Sequence, residues 1–164
     1  SKPKANNQFS FYIDTYSRES SKYNPSLIVK HKKVASLKKQ MNLFMETYTA
    51  WKKTAIENNV TELSKEITTE RIKYSAAFYY GSSWKFDFSV YLEAHFKIVN
   101  GKYLLLISNT TDLVASDNQY MDIKGFYIVF SSKKEIQEFI NGLSSDAVID
   151  FYNKENKKGD IFKQ

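Results

Sequence analysis

Residues 84 to 98 alternate between apolar and polar side chains without a break, and this stretch limits the possible folds more than any other. Apolar residues occupy every even position from Trp84 to Ile98, and polar or charged residues occupy the odd positions. Successive side chains of a β-strand point to opposite faces, so a period of two predicts one long strand with one buried face. An antiparallel sheet that is covered on one side follows from this pattern.

The dipeptide Asn100-Gly101 comes directly after this stretch and predicts a tight hairpin. Both central residues of a type I′ turn need positive φ, which Asn and Gly adopt readily. A two-residue turn also fixes which apolar residues face each other across the hairpin. The expected partners are Val99 with Lys102, Ile98 with Tyr103, Phe96 with Leu105 and Ala94 with Ile107. A slip by one residue would expose both apolar sets.

The first half of the chain has a helical period instead. Seven side chains recur three or four residues apart: Val34, Leu37, Met41, Phe44, Tyr48, Trp51 and Ala55. This spacing predicts one long amphipathic helix with a single apolar stripe. We interpret the stripe as the face that packs on the sheet. The alternative is a protein-interaction or homodimer module that uses the stripe over residues 34–55.

Shorter patterns predict the remaining elements. Strands are expected at 9–13, 72–80, 112–116 and 120–130. Residues 27–34 stay open between strand and helix, because Pro25 could begin a helix whereas Leu-Ile-Val is typical of a strand. Residues 60–67 are expected to form a short helix. Ser132 and Glu135 have the spacing of a capping box and predict a C-terminal amphipathic helix.

These elements predict a single α+β domain. Neither the helical stripe nor the half-apolar sheet can bury its surface alone, so each requires the other. The expected architecture is a long amphipathic helix packed on an antiparallel sheet of about four to six strands, with a C-terminal helix after the last strand. We place this domain at residues 9–152, between a flexible N-terminal tether at 1–8 and a loose basic tail at 153–164.

The charge of the chain bears on its partners. The formal net charge is +6, but only Arg18 and Arg71 among the 24 basic residues are arginines. Recognition of phosphates and bases favours the guanidinium fork, whereas Lys mostly gives solubility and weak attraction. We therefore expect a protein, peptide or carbohydrate partner rather than nucleic acid, and a monomer or weak dimer.

The beginning of the chain leaves its compartment open. No apolar run reaches the roughly 18 to 20 residues of a membrane-spanning helix, so no transmembrane segment is expected. The chain starts at Ser1 rather than at Met. Export to the cell envelope or the medium, with the signal absent from this chain, therefore remains an open expectation.

Motifs that carry chemistry are missing from the sequence. The five glycines are isolated, so there is no phosphate-binding loop or dinucleotide fingerprint. The chain has no cysteine, which excludes disulfides, thiol catalysis and thiolate zinc sites. His31 and His95 are the two histidines and fall on different predicted elements. We expect no catalytic residue, no metal site and no cofactor, and favour a role other than catalysis.

Aromatic residues supply the candidate site, since they make up 16% of the chain and some must lie outside the core. Tyr79, Tyr80 and Trp84 surround the turn at Gly81, and Tyr91 lies on the polar face of the long strand. Exposed Tyr and Trp suit contacts with macromolecules. We predict a binding or accessory domain that uses these four residues. The alternative is a small-ligand carrier or enzyme with an apolar cavity between the long helix and the sheet.

Overall fold

The structure is a computed structural model that describes residues 9–144, 146 and 148–150. The predicted tether at 1–8 and tail at 153–164 lie outside these residues. Ten strands and two α-helices are assigned within the described part. They are β1 (Ser10–Asp14), β2 (Tyr16–Ser17), β3 (Ser26–Lys30), α1 (Val34–Glu57), β4 (Leu63–Ile67), β5 (Lys73–Tyr80), β6 (Ser83–Val99), β7 (Lys102–Asn109), β8 (Leu113–Ala115), β9 (Asn118–Ile123), β10 (Phe126–Phe130) and α2 (Lys133–Gly142).

Eight strands form one sheet whose two edges are neighbours in the chain. The order is β1-β3-β5-β6-β7-β10-β2, and β4 pairs with β6 outside this path. The edge strands β1 and β2 are separated by Thr15 alone. Because one residue spans less than 4 Å, the sheet must curve until its edges approach each other. We call the side that carries the core side chains of β6 and β7 the inner face, and the opposite side the outer face.

The predicted fold class is confirmed. A 24-residue helix, α1, covers the predicted stripe, and the side chains of the stripe are buried except for the half-buried Trp51. The sheet is antiparallel, and α2 follows its last strand. The sheet has more strands than the expected four to six, because β2 is two residues long and β4 is mostly exposed, so neither has a clear period. No described helix combines the length and apolarity needed to cross a bilayer.

The predicted hairpin is also confirmed in its register. Asn100 and Gly101 have φ values of 51° and 71°, as a type I′ turn requires. All four expected partner pairs between β6 and β7 are present. The apolar side chains of both strands are therefore aligned on the inner face.

The structure overturns one sequence-based prediction and decides one segment that the sequence left open. The prediction of a short helix at 60–67 is wrong, because Leu63–Ile67 is strand β4 and pairs with the C-terminal half of β6. Pairing with an open strand edge stabilises this segment, and that contact is invisible in its own sequence. The open segment 27–34 is a strand up to Lys30, and a 3₁₀ turn at His31–Lys33 then leads into α1.

A buried hydrogen-bond chain joins α1 to the region around β5. The Tyr74 hydroxyl donates to Gln40 Oε1 at 2.6 Å, and Gln40 Nε2 donates to the Glu70 carbonyl at 3.0 Å. Both Gln40 and Tyr74 are buried. Burial raises the pKa of Tyr74 well above its ordinary value. Because both ends of the Gln40 amide are hydrogen-bonded, these bonds fix how α1 is rotated against the sheet.

Replacing Tyr74 by phenylalanine should lower the free energy of unfolding by about 1 to 3 kcal/mol, because Gln40 Oε1 then remains buried without a donor. The raised pKa also predicts a pH dependence. Above about pH 10 the unfolded chain releases the Tyr74 proton while the folded chain keeps it, so stability falls as pH rises. Urea unfolding at about pH 8 and about pH 11 measures both effects. Y74F should lose less stability than wild type between these pH values, and an equal loss would contradict this role.

Candidate functional site

A β-bulge in β6 determines which side chains of the long strand reach solvent. Tyr74 pairs with Val90, and Ala76 pairs with Asp87. The step between these pairs is two residues in β5 and three residues in β6. The extra residue in β6 reverses which side chains face inward on the N-terminal side of the bulge.

The prediction that every even position from 84 to 98 shares one buried face is therefore wrong for the first part of β6. Trp84, Phe86 and Phe88 are 47%, 37% and 53% exposed, whereas the even positions from Val90 to Ile98 are at most 6% exposed. The alternation in the sequence is unbroken across this point. The reversal arises from the pairing with β5, so the strand's own pattern could not reveal it.

Polar side chains hold the reversed part of β6 in place. Asp87 Oδ1 accepts the backbone N–H of Ser89 at 2.7 Å, and its Oδ2 accepts that of Val114 at 3.0 Å. The Lys85 side chain is only 14% exposed, and its Nζ lies 2.8 Å from Asp117 Oδ2. The hydrogen bond from Lys85 lowers the pKa of Asp117. Polar residues on this side of β6 are thus bonded to the β8–β9 hairpin, which leaves the aromatic side chains outward.

The outward aromatic side chains lie on one part of the outer face. Strand pairing aligns Tyr12 with Ile28 and Ile28 with Ser75, and it aligns Ala77 with Phe86. The residues of the middle strands β3 and β5 that lie between the aromatic side chains are buried: Ser26, Ile28, Ser75 and Ala77. We call the surrounding set the aromatic surface, and it consists of Tyr12, Tyr79, Trp84, Phe86 and Phe88.

Ring contacts arrange the aromatic surface before any partner arrives. Tyr79 and Trp84 pack edge to face, with ring centroids 5.6 Å apart. Phe86 and Phe88 lie parallel within 6°, with centroids 6.3 Å apart. Aromatic pairs in these geometries attract each other beyond their buried area. The rings therefore lose little conformational freedom when something packs against them.

Four lysines border the aromatic surface beside Phe88. Together with Ile28, Ser75 and Phe88 they line a pocket of about 200 Å³. We call them the lysine cluster, and they are Lys30, Lys32, Lys33 and Lys73. Within the described part of the chain none of the four forms an ion pair, although lysines elsewhere do so with Glu70, Asp112 or Asp117. Their charges therefore act outward, next to apolar rings.

The structure brings together two of the four residues predicted from the sequence. Tyr79 and Trp84 belong to the aromatic surface. Tyr80 instead stacks on Tyr23 with centroids 5.9 Å apart and packs against the core. Tyr91 lies under the Arg71 guanidinium, 4.4 Å from the ring centroid. Their role in contacting a partner stays a prediction.

Sequence reasoning missed Tyr12, Phe86 and Phe88. The alternation assigned Phe86 and Phe88 to the core, and only the bulge places them outside it. Tyr12 occupies a short strand whose exposed side could not be assigned from five residues. One signal was present in the sequence: Asp87 stands between two phenylalanines, and an Asx-type side chain can bond the backbone two residues on.

The structure also bears on two other kinds of site, a ligand cavity between α1 and the sheet and a metal site. Phe44, Tyr48 and Phe96 lie between α1 and the sheet and are at most 1% exposed. Three concave regions lined by described residues lie on the outer face or along the exposed side of α1. No group of three metal-ligating side chains converges among the described residues.

The chain was also compared with known proteins. No family model, curated protein or solved structure matches it.

Proposed function

We propose that this chain is a binding domain without catalytic activity, and that its aromatic surface binds an acidic, partly apolar segment of a partner protein. One observation carries the proposal: the bulge in β6 turns Trp84, Phe86 and Phe88 to solvent beside four lysines that have no acidic partner in the described residues. Apolar rings and unpaired cations together favour a partner with both kinds of group.

The aromatic surface exposes apolar rings to water. Aromatic side chains that are exposed side by side stay hydrated until a partner covers them. Contiguous apolar patches of this kind mark interaction sites. Trp and other aromatic residues also dominate the binding energy of protein interfaces when they lie near the centre of the contact. Trp84, Phe86 and Phe88 occupy consecutive outward positions on one strand. A partner segment running along β6 could therefore cover all three.

The lysine cluster favours a partner of acidic composition. The lysine cluster places four positive charges at one end of the aromatic surface. Acidic side chains on the partner would complement them, raise the rate of association and disfavour basic partners. A second copy of this chain would bring its own lysine cluster and a net charge of +6. Self-association through this surface is disfavoured for that reason.

Ring orientation supports a protein segment over a sugar. Sugars stack on open ring faces, whereas Phe86 and Phe88 lie parallel to each other and Tyr79 packs edge to face on Trp84. A ring face that already contacts another ring is less open to a sugar, whereas aliphatic side chains can still pack at the ring edges.

The two alternative functions, an interaction module built on the helix stripe and a ligand cavity between α1 and the sheet, lack comparable support. The helix stripe is buried inside the chain, and aromatic residues occupy the space between α1 and the sheet.

The proposal can be tested by selecting random short peptides displayed on phage against the purified chain. We expect enriched peptides to combine Asp or Glu with apolar residues. Their affinity should fall about tenfold or more in a W84S/F88S double variant, because contacts of this type carry most of the binding energy. Replacing the four lysines of the cluster by glutamine should weaken the same peptides and reduce the dependence of their binding on salt.

Val99→Ser serves as the matched control, since Val99 is an exposed apolar residue at the other end of β6. Binding to this variant should be unchanged. Circular dichroism and thermal unfolding should show that all variants remain folded. The proposal is overturned if enriched peptides bind W84S/F88S as tightly as wild type, if they are enriched in basic residues, or if a sugar array is bound and the peptides are not.

A further inference from the structure

A polar pocket lies on the outer face along the C-terminal half of β6, apart from the aromatic surface. Its volume is about 340 Å³, within the range of small-ligand sites. Among the charged and polar side chains that line it are Arg18, Glu93, His95, Lys97, Ser108 and Tyr127. They come from the segment after β2 and from β6, β7 and β10. Strands distant in the sequence therefore meet at this pocket because β6, β7, β10 and β2 are consecutive neighbours in the sheet.

The cations of the pocket are Arg18 and Lys97. Arg18 and Lys97 form no ion pair within the described residues. The main chain at Arg18 is nevertheless fixed, since its backbone N–H donates to the Gly125 carbonyl at 2.9 Å. A guanidinium without an acidic partner in the described residues is a ready donor for two oxygens of one anion.

The remaining lining groups shape a complete site. Ser108 is buried and its hydroxyl donates to Glu93 Oε1 at 2.9 Å, so the only carboxylate among the lining residues is held by the protein itself. Tyr16 stacks on Tyr127 with centroids 5.4 Å apart and fixes that ring beside the cations. Leu106 adds an apolar part to the lining. The charged side chains Arg18, Lys97 and Glu93 together leave one net positive charge.

From this arrangement we infer that the pocket binds a small molecule that carries an oxyanion, a carboxylate or a phosphate monoester, on a compact apolar or aromatic body. Arg18 and Lys97 hold the oxyanion, and Tyr127 and Leu106 contact the body. The Glu93 carboxylate repels a ligand with high negative charge. It favours a ligand that also carries a hydroxyl or amino donor. The site is independent of the proposed protein-binding surface, because the two share no residue.

The test is an NMR titration of the ¹⁵N-labelled full chain with phenyl phosphate, benzoate and inorganic phosphate, and with phenol as the uncharged control. Saturable shifts centred on residues 93–97, Ser108 and Tyr127 are expected with at least one of the two aromatic anions, and not with phenol. Comparison of phenyl phosphate with benzoate shows which oxyanion is preferred. Comparison of phenyl phosphate with inorganic phosphate shows whether the apolar body contributes.

Variants separate a specific site from general attraction to a basic protein. Arg18→Gln should weaken the preferred anion about tenfold or more, the usual loss for a hydrogen bond to a charged group. Glu93→Gln should tighten it about two- to fivefold because a like charge is removed. Arg71→Gln, the other arginine and not part of the pocket, should change nothing. Shifts spread over the lysines of the whole chain, or equal affinities for R18Q and R71Q, would overturn the inference.

Discussion

Replacing Phe96 by alanine is expected to lower the free energy of unfolding by about 3 to 5 kcal/mol, as large-to-small changes of buried aromatic residues usually do. Phe96 is fully buried on the inner face of β6. Its ring centroid lies 5.8 Å from that of Tyr48 and 6.0 Å from that of Trp51 on α1, and 6.5 Å from that of Tyr103 on β7. Removing the ring therefore opens a cavity where the helix, β6 and β7 meet.

Phe86→Ala is the matched control for this prediction. The two residues share one strand, one residue type and the same parity in sequence, but Phe86 lies beyond the bulge and on the outer face. Its replacement should cost less than about 1 kcal/mol, the ordinary effect of a surface change. Chemical denaturation of both variants measures the difference. Equal losses would show that β6 has a single buried face and that the bulge is absent in solution.

The parts of the fold that sequence reasoning found are those with a long and local pattern. The stripe of α1 repeats over three heptads, and the register of the β6–β7 hairpin follows from a two-residue turn and the alternation on either side of it. In both cases the side chains that define the element also bury it. Burial and periodicity therefore agree within one stretch of sequence.

The parts that sequence reasoning missed depend on contacts between distant segments. Strand β4 is stabilised by pairing with residues 94–98, and its own side chains are mostly exposed. The bulge in β6 exists only relative to β5. The closure of the sheet depends on Thr15 separating two strands that pair with β3 and β10. Each feature is a property of a pair of segments, which one segment's pattern does not encode.

The same limit applies to the two surfaces. Tyr79 and Trp84 could be identified because a turn at Gly81 brings them together locally. The polar pocket could not, because its residues come from separate strands. The lysine cluster could not, because Lys73 on β5 reaches the segment 30–33 only through the pairing of β3 with β5. Arg18 and Lys97, for example, are 79 positions apart and meet only through the order of strands in the sheet.

Gly125 marks the point where the region predicted as one strand, 120–130, divides into β9 and β10. Its φ is +95°, which residues other than glycine rarely adopt. A Cβ at this position would overlap the side-chain amide of Asn109. That amide is buried and held at both ends: its Nδ2 donates to the Thr111 carbonyl, and its Oδ1 accepts the N–H of Phe126 at 2.7 Å. The amide therefore cannot move aside without losing bonds.

Gly125→Ala should accordingly lower the free energy of unfolding by about 2 to 5 kcal/mol, the sum of backbone strain and overpacking against a fixed neighbour. Gly81→Ala isolates the first contribution, because Gly81 also has positive φ, +63°, but a Cβ there has nothing within 4 Å. That variant should cost about 1 kcal/mol. Urea unfolding of both proteins measures the difference, which we assign to the overlap with Asn109 and to the larger φ of Gly125. If the two variants lose the same stability, the Asn109 amide does not hold the start of β10, and the close approach of Gly125 has no energetic role.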